Sequence, residues 1–215
     1  KSTIFNALTA SAVPAENYPF CTVDPNVGMV PLPDPRLEKI TSFFRPEKIT
    51  PTTVEFVDIA GLVKGASEGE GLGNRFLGQI RQVAAIIHVV RCFEDQNISH
   101  VEGSLHPVRD AELIETELLM KDLETIERKI EKAAKEAKSG DKQHKTELDL
   151  LTQLSEHCNA GKMARTFDCT SEEVLIIKQL HLLTRKRILY VANVDEEEIT
   201  ATQRSEQTQV LFDFA

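Results

Sequence analysis

The longest periodic pattern in the chain lies in its second half. Apolar residues recur at intervals of four and three between positions 119 and 137, and again between positions 148 and 158. Such spacing is typical of helices that pack against each other along an apolar seam. The turn signal Ser139-Gly140-Asp141 separates the two runs, so we predict an antiparallel coiled-coil arm of two helices, 108–138 and 142–158. The predicted seam consists of Leu119, Leu123, Ile126, Ile130, Ala133, Ala137, Leu148, Leu151, Leu154 and Cys158.

The rest of the chain alternates between strand and helix patterns. Residues 53–59 are rich in β-branched and aromatic side chains, which predicts a buried central strand. The alternation predicts an α/β fold with a mostly parallel sheet flanked by helices. The other predicted strands are 28–32, 85–92 and 186–193, and the other predicted helices are 2–9, 35–44, 72–83 and 171–183.

A glycine-rich segment follows the predicted central strand. Five of the chain's ten glycines fall between positions 61 and 73, and Asp58 stands at the end of the strand before them. A carboxylate in this place can hold a water of a Mg²⁺ shell, while the backbone amide of Gly61 can turn toward a γ-phosphate. The alternative interpretation is a glycine-rich surface loop after a core strand.

The first residues of the chain favour the nucleotide-site interpretation over the surface loop. Lys1-Ser2-Thr3 matches the last letters of a P-loop, in which the Lys bridges the β- and γ-phosphates and the Ser hydroxyl ligates Mg²⁺. The glycines that precede this Lys in a P-loop are not in the chain. The match gains its meaning from its position, about 55 residues ahead of Asp58.

Two further segments complete a nucleotide-site pattern in the expected order. Residues 17–28 contain Thr22 in a proline-interrupted stretch, and we predict that Thr22 is a first-switch ligand of Mg²⁺ and the γ-phosphate. The predicted strand 186–193 ends in Asn193, where we expect base recognition by Asn193, Val194 and Glu196.

Several of these segments together resemble the Obg-like ATPase, or YchF, branch of the translation-factor P-loop NTPases. The resemblance covers roughly residues 1–196. It implies a Ras-like P-loop domain that hydrolyses ATP and acts with the ribosome and the translation machinery or in stress regulation. The last residues, 200–215, show none of the helix, strand and second base-contacting loop that the family has after Glu196. The resemblance rests on residues 18–22, 31–36, 56–74 and 88–93.

The base-recognition letters differ from those of a guanine-specific domain. Such a domain uses Asn-Lys-x-Asp, whereas this chain has Val194 in place of the Lys and Glu196 in place of the Asp. The longer acid should weaken a contact that is tuned to the edge of guanine. The residues alone therefore indicate a site that is not strictly for GTP, and the resemblance implies ATP in preference to GTP.

The position after Gly61 departs from Ras-like GTPases, which use a Gln there to orient the attacking water. The residue here is Leu62, which can neither donate nor accept a hydrogen bond. His88 and His100 are the nearest histidines in sequence. His88 lies within an apolar strand, so we interpret it as a core histidine, and we predict that His100 orients the water. The alternative for His100 is an ordinary surface histidine.

The charge of the chain narrows the choice of partners. A net charge of −9 argues against wholesale coating of nucleic acid, and we expect neither DNA nor a membrane as a partner. The predicted arm tip is the exception, because positions 128–145 contain seven Lys/Arg and only three acidic residues. One interpretation is a solvated helix face, and the other is a contact with ribosomal RNA, which the resemblance favours.

Composition and chain ends lead to three further expectations. The four cysteines lack the spacing of a zinc site, which favours a reducing cytoplasm. The chain does not begin with Met, so we expect it to be part of a longer protein. We divide it into a first nucleotide-binding part (1–107), an inserted arm (108–165) and a returning part with an unassigned tail (166–215).

Two other functions stay open on the sequence. The first is a GTP-dependent switch of the Obg type, which base preference would distinguish from an ATPase. The second is a non-catalytic scaffold, in which the arm binds a partner and the nucleotide site has degenerated; Leu62 and the incomplete P-loop keep this reading open.

Overall fold

The computed structural model describes residues 1–10, 25–44, 46–59, 72–94, 104–138 and 141–215. The chain divides into two compact units, Lys1–Gly61 and Leu62–Ala215. No helix in the ranges just given is both long and apolar enough to cross a membrane. Within the same ranges, Cys92, Cys158 and Cys169 form no disulfide.

The described residues of the first unit form two helices and an antiparallel pair of strands. Strand β1 pairs with β2 so that Asn26 lies opposite Asp58. Helix α1 packs closely on β1, because a Cβ added to Gly28 would lie 2.3 Å from Cγ2 of Thr9. Only glycine allows this approach of helix and strand. In chain order the elements are α1 (Ser2–Thr9), β1 (Asn26–Pro31), α2 (Pro35–Phe44) and β2 (Thr53–Asp58).

Strand β2 has the predicted position but not the predicted burial. Asp58 is buried, whereas residues 53–55 are exposed. The expectation of a buried strand is wrong for the described residues of this unit, since β2 pairs there with β1 alone. The antiparallel pairing also differs from the parallel pairing that the alternation of elements predicts.

The second unit contains the parallel pair of strands. Strand β3 (Ala85–Arg91) follows helix α3 (Leu72–Gln82) and pairs in parallel with β4 (Arg187–Asn193). Arg91 lies opposite Asn193, so both strands end at the same edge. This pair confirms the predicted parallel arrangement, with the arm inserted in the connection between its two strands.

The arm consists of helices α4 (Pro107–Ala137) and α5 (Lys142–Asn159), as the periodicity predicts. Lys129 of α4 forms a 2.7 Å ion pair with Glu147 of α5, consistent with antiparallel packing. The predicted seam residues, Ala137 excepted, pack in one apolar cluster. The cluster continues at the root of the arm through Ala164, Ile177, Leu180 and Leu182, which come from the segment that leads to β4.

Helix α6 (Ser171–Lys178) begins as predicted and ends earlier. Thr170 and Glu173 form a reciprocal capping box at its start. The helix stops at Lys178, short of the predicted residue 183, and His181 then takes a left-handed backbone conformation with φ of 49°. The tail forms helices α7 (Glu196–Thr200) and α8 (Glu206–Phe214), so residues 200–215 do contain a helix, contrary to the expectation.

The early end of α6 has a cause in the arm. Asp122 of α4 is fully buried and accepts hydrogen bonds from the backbone N–H groups of Leu183 and Thr184, each at 2.7 Å. The hydroxyl of Thr184 donates a third bond of 2.7 Å to the same carboxylate. Burial raises the pKa of Asp122, while these hydrogen bonds act in the opposite direction. The segment before β4 is therefore fixed by a side chain rather than by continuation of the helix.

We predict that Asp122→Asn destabilises the protein. An amide places N–H₂ against one of the backbone donors, so at least one buried N–H loses its acceptor, at a cost of about 1–3 kcal/mol. Chemical denaturation measures the free energy of unfolding. Asp149→Asn, on the exposed side of α5, is the matched control. Equal stability of the two variants would show that Asp122 is not needed at this place.

Candidate functional site

The first cluster of predicted site residues lies in the first unit. Helix α1 begins at Ser2, and β2 ends at Asp58, so both residues lie at element ends. The hydroxyl of Ser2 donates a 2.7 Å hydrogen bond to Oδ2 of Asp58, and both residues are buried. Lys1 Nζ lies 3.1 Å from Oδ1 of Asp58 and donates to the backbone carbonyl of Ile59. The structure thus brings the neighbouring residues Lys1 and Ser2 into contact with Asp58, which lies 56 positions after Ser2 in the sequence.

The carboxylate of Asp58 is not fully satisfied by the protein. Its Oδ1 is buried and lacks a hydrogen-bond donor among the described residues, because the nearby ammonium of Lys1 is not aligned for a hydrogen bond. The side-chain amide nitrogen of Asn26, which lies opposite Asp58 in the sheet, is also buried without an acceptor there. A buried carboxylate oxygen beside a serine hydroxyl fits a hydrated Mg²⁺, which keeps most of its waters and takes few protein ligands.

The structure describes only some of the other residues that are predicted to contact phosphate or water. Thr3 lies in the first turn of α1 with an exposed side chain. Thr22, Gly61, Leu62 and His100 lie outside the described residues. His88 is half-buried in β3, and its ring lies 5.6 Å from that of Tyr190. Burial lowers the pKa of His88.

The residues predicted to recognise the base lie at the end of β4 in the second unit. The backbone N–H of Cys92 donates a 2.8 Å bond to the carbonyl of Asn193, which anchors the last residue of the strand. Val194 packs against an apolar cluster that includes Leu211. Asn193 and Glu196 have exposed side chains, so they face solvent where a ligand can reach them.

Helix α7 is held by polar groups that the sequence analysis did not single out. Asp195 caps the helix by accepting a 2.8 Å bond from the N–H of Glu198. Glu198 in turn accepts a 2.9 Å bond from the N–H of Ser205, and this hydrogen bond lowers the pKa of Glu198. An Asp directly before a run of acids is a sequence signal for a helix cap, and it was available here.

The arm tip carries a partly neutralised basic surface. Lys129 pairs with Glu147, and Lys132 lies 3.8 Å from Glu136. His144 lies with these two glutamates in a group whose ligand atoms are within 4.8 Å of one another, but lysines already balance both carboxylates. The lysines with exposed side chains are Lys132, Lys135, Lys138, Lys142 and Lys145.

Comparisons with known proteins agree with this architecture. The model of the 50S ribosome-binding GTPase family matches residues 1–136. The ribosome-binding ATPase YchF of Bacillus subtilis is 51% identical over 215 residues, which are 100% of this chain and 59% of that protein. The protein of the same name from Escherichia coli O157:H7 is 52% identical over 197 residues, 92% of this chain and 54% of its own length.

A solved structure gives the same result for the fold. The Schizosaccharomyces pombe YchF GTPase superposes with a TM-score of 0.77 at 36% identity, over 98% of this chain and 58% of that one. The chain thus spans somewhat more than half the length of the relatives it matches. The match to the B. subtilis protein includes residues 197–215, so the expectation that the tail departs from the family is wrong.

These matches confirm the resemblance to YchF proteins and the predicted α/β P-loop fold. The structure also brings Ser2 and Asp58, two of the residues singled out in the sequence, into direct contact. The chain belongs to the family of 50S ribosome-binding GTPases.

Proposed function

We propose that this chain is the nucleotide-binding and hydrolysing part of a Mg²⁺-dependent ATPase that acts with the ribosome in the cytoplasm. The observation that carries the proposal is the buried contact of Ser2 with Asp58, beside Lys1. The names of the bacterial relatives, ribosome-binding ATPases, support the choice of reaction and partner.

The residues at the ends of α1 and β2 have complementary roles in this proposal. Lys1 is the cation for the β- and γ-phosphates, and the start of α1, with Ser2 and Thr3, presents backbone N–H groups to them. Ser2, Thr22 and Asp58 hold the magnesium ion, and the unsatisfied Oδ1 of Asp58 supports this assignment. Bound Mg²⁺ supplies positive charge that offsets the charge of the triphosphate.

Hydrolysis transfers the γ-phosphoryl group from the β-phosphate oxygen to a water molecule, which loses a proton. In our proposal the backbone N–H of Gly61 binds the γ-phosphate. Leu62 occupies the position at which Ras-like GTPases have the glutamine that orients the attacking water. We therefore assign this orientation to His100.

We predict that Asp58→Asn raises the Mg²⁺ concentration needed for nucleotide binding by about 10–100-fold, the usual effect of losing a group that orients a metal's ligands. A calorimetric titration with Mg²⁺ at a fixed nucleotide concentration measures this Mg²⁺ requirement. Glu55→Gln, an exposed carboxylate on the same strand, is the control.

An unchanged Mg²⁺ requirement in Asp58→Asn would contradict the assignment of the metal site. Nucleotide binding without any turnover in the full-length protein would instead favour the non-catalytic scaffold over the ATPase.

The base preference has a second candidate, GTP, because the family description and the S. pombe structure title both name a GTPase. We favour ATP, since Glu196 carries one methylene more than the acid of a guanine site. Val194 supports this choice, because it packs against an apolar cluster where a guanine-specific domain has a lysine.

We predict that ATP outcompetes GTP for the wild-type protein in competition binding. The double substitution Val194→Lys with Glu196→Asp introduces the Lys and Asp of a guanine-specific site. It should shift the preference toward GTP, because a site built to hydrogen-bond one base strongly rejects a mismatched base. Exposed Glu197→Asp is the control beside the site. A tenfold preference of the wild type for GTP would establish the GTPase instead.

The arm tip is the surface we propose for ribosomal RNA. Its exposed lysines support a contact with a phosphate backbone, while the acidic charge of the chain as a whole disfavours unspecific binding of nucleic acid. We propose neither DNA nor a membrane as a partner.

We predict that reversing three charges at the tip weakens ribosome binding and flattens its dependence on salt, because fewer counterions are released. Co-sedimentation at several salt concentrations measures both effects. The control variant has the same change of net charge on other exposed lysines. Binding that survives the tip substitutions with unchanged salt dependence would exclude this surface. The tip substitutions are Lys135→Glu, Lys138→Glu and Lys142→Glu, and the control substitutions are Lys39→Glu, Lys48→Glu and Lys178→Glu.

A further inference from the structure

The root of the arm is joined to the base-recognition strand by buried polar contacts that the proposed reaction does not use. Glu115, in the third turn of α4, has 6% of its surface exposed. It accepts a 2.7 Å hydrogen bond from the hydroxyl of Tyr190 on β4. It also forms an ion pair with the guanidinium of Arg165. One arm carboxylate therefore holds two groups that lie 50 and 75 positions away in sequence.

Tyr190 is fixed from several sides. Its ring lies 5.6 Å from that of His88 on β3 and 5.6 Å from that of Phe214 on α8. Burial, together with the neighbouring Glu115, raises the pKa of Tyr190, so the phenol stays protonated and donates its hydrogen. Tyr190 precedes Asn193 by three positions on the same strand. Displacement of its ring would thus displace the end of the strand.

Asp122 holds the same strand at its other end. It follows Glu115 by seven positions on α4, so the two carboxylates lie on the same face of the helix. Asp122 binds Leu183 and Thr184 just before β4, and Glu115 binds the middle of β4. With one point held before the strand and one within it, β4 cannot slide along its axis without breaking buried hydrogen bonds.

We propose that Glu115 and Tyr190 are positioning residues for base recognition. They set the location of the end of β4, and with it that of Asn193 and Glu196, relative to the arm helix. This inference rests on the proposed nucleotide function. Contacts to the edge of a base depend strongly on placement, because a displaced group leaves a polar partner unsatisfied. The residues proposed for phosphate and metal, among them Lys1, Ser2 and Asp58, come from segments of the chain other than α4 and β4.

The test is Tyr190→Phe in the full-length protein. The substitution keeps the ring and removes only the hydroxyl, and Glu115 keeps its ion pair with Arg165, so the fold should survive. Calorimetry compares binding of Mg·ATP with binding of Mg·tripolyphosphate, which has no base. We expect affinity for Mg·ATP to fall about fivefold, the usual value of one net hydrogen bond, and affinity for tripolyphosphate to stay the same.

Steady-state hydrolysis gives an independent measurement. Loss of base contacts that are equal in the ground and transition states raises KM and leaves kcat unchanged, so we expect that result for Tyr190→Phe. Glu115→Gln keeps an acceptor for the phenol and should bind Mg·ATP within about twofold of the wild type, whereas Glu115→Ala should reproduce the loss. The control is Glu147→Gln, which removes an ion pair in the outer part of the arm.

Three results would overturn the positioning role. They are unchanged Mg·ATP affinity in Tyr190→Phe, an equal loss for Mg·ATP and tripolyphosphate, and a fall in kcat at constant KM. A lower melting temperature with unchanged KM would show that the contact serves stability alone. If the wild-type protein binds neither purine triphosphate, the proposed function itself fails, and the inference fails with it.

Discussion

The hydrogen bond between Ser2 and Asp58 is the interaction on which the interpretation of this chain depends. It joins the first turn of α1 to the last residue of β2, and it involves a buried carboxylate to which the described residues donate only part of its hydrogen bonds. A buried charge without full hydrogen bonding is costly, and a bound cation would lower that cost. The nearby ammonium of Lys1 offsets part of that cost in the structure described here.

In the second unit, the long helix pair of the arm packs at its root against the region of strand β4. Helix α4 contributes apolar residues to the seam of the arm, and it also carries Glu115 and Asp122 toward the strand β4. The arm and strand β4 are consequently parts of one packed structure. A helix that served only as a spacer would need no buried carboxylates at its root.

The sequence was sufficient for elements with a strong local signal. The periodicity of the arm predicted both helices to within two residues, and the P-loop letters and the strand end singled out Ser2 and Asp58, which the structure brings into contact. The sequence was insufficient to predict the ends and the burial of elements that depend on tertiary contacts. The early end of α6 depends on Asp122, and no local pattern distinguishes Asp122 or Glu115 from the exposed acids around them. The exposure of β2 follows from its pairing with a single strand, which local propensity does not report.

The most direct measurement is a crystal structure of the full-length protein with Mg²⁺ and a non-hydrolysable ATP analogue. Our account predicts a metal ion in contact with the hydroxyl of Ser2, with the carboxylate of Asp58 hydrogen-bonded to a water of that ion and Lys1 turned to the phosphates. Bound nucleotide with its metal remote from Ser2 and Asp58, or with the Ser2–Asp58 contact unchanged and no metal beside it, would contradict the account.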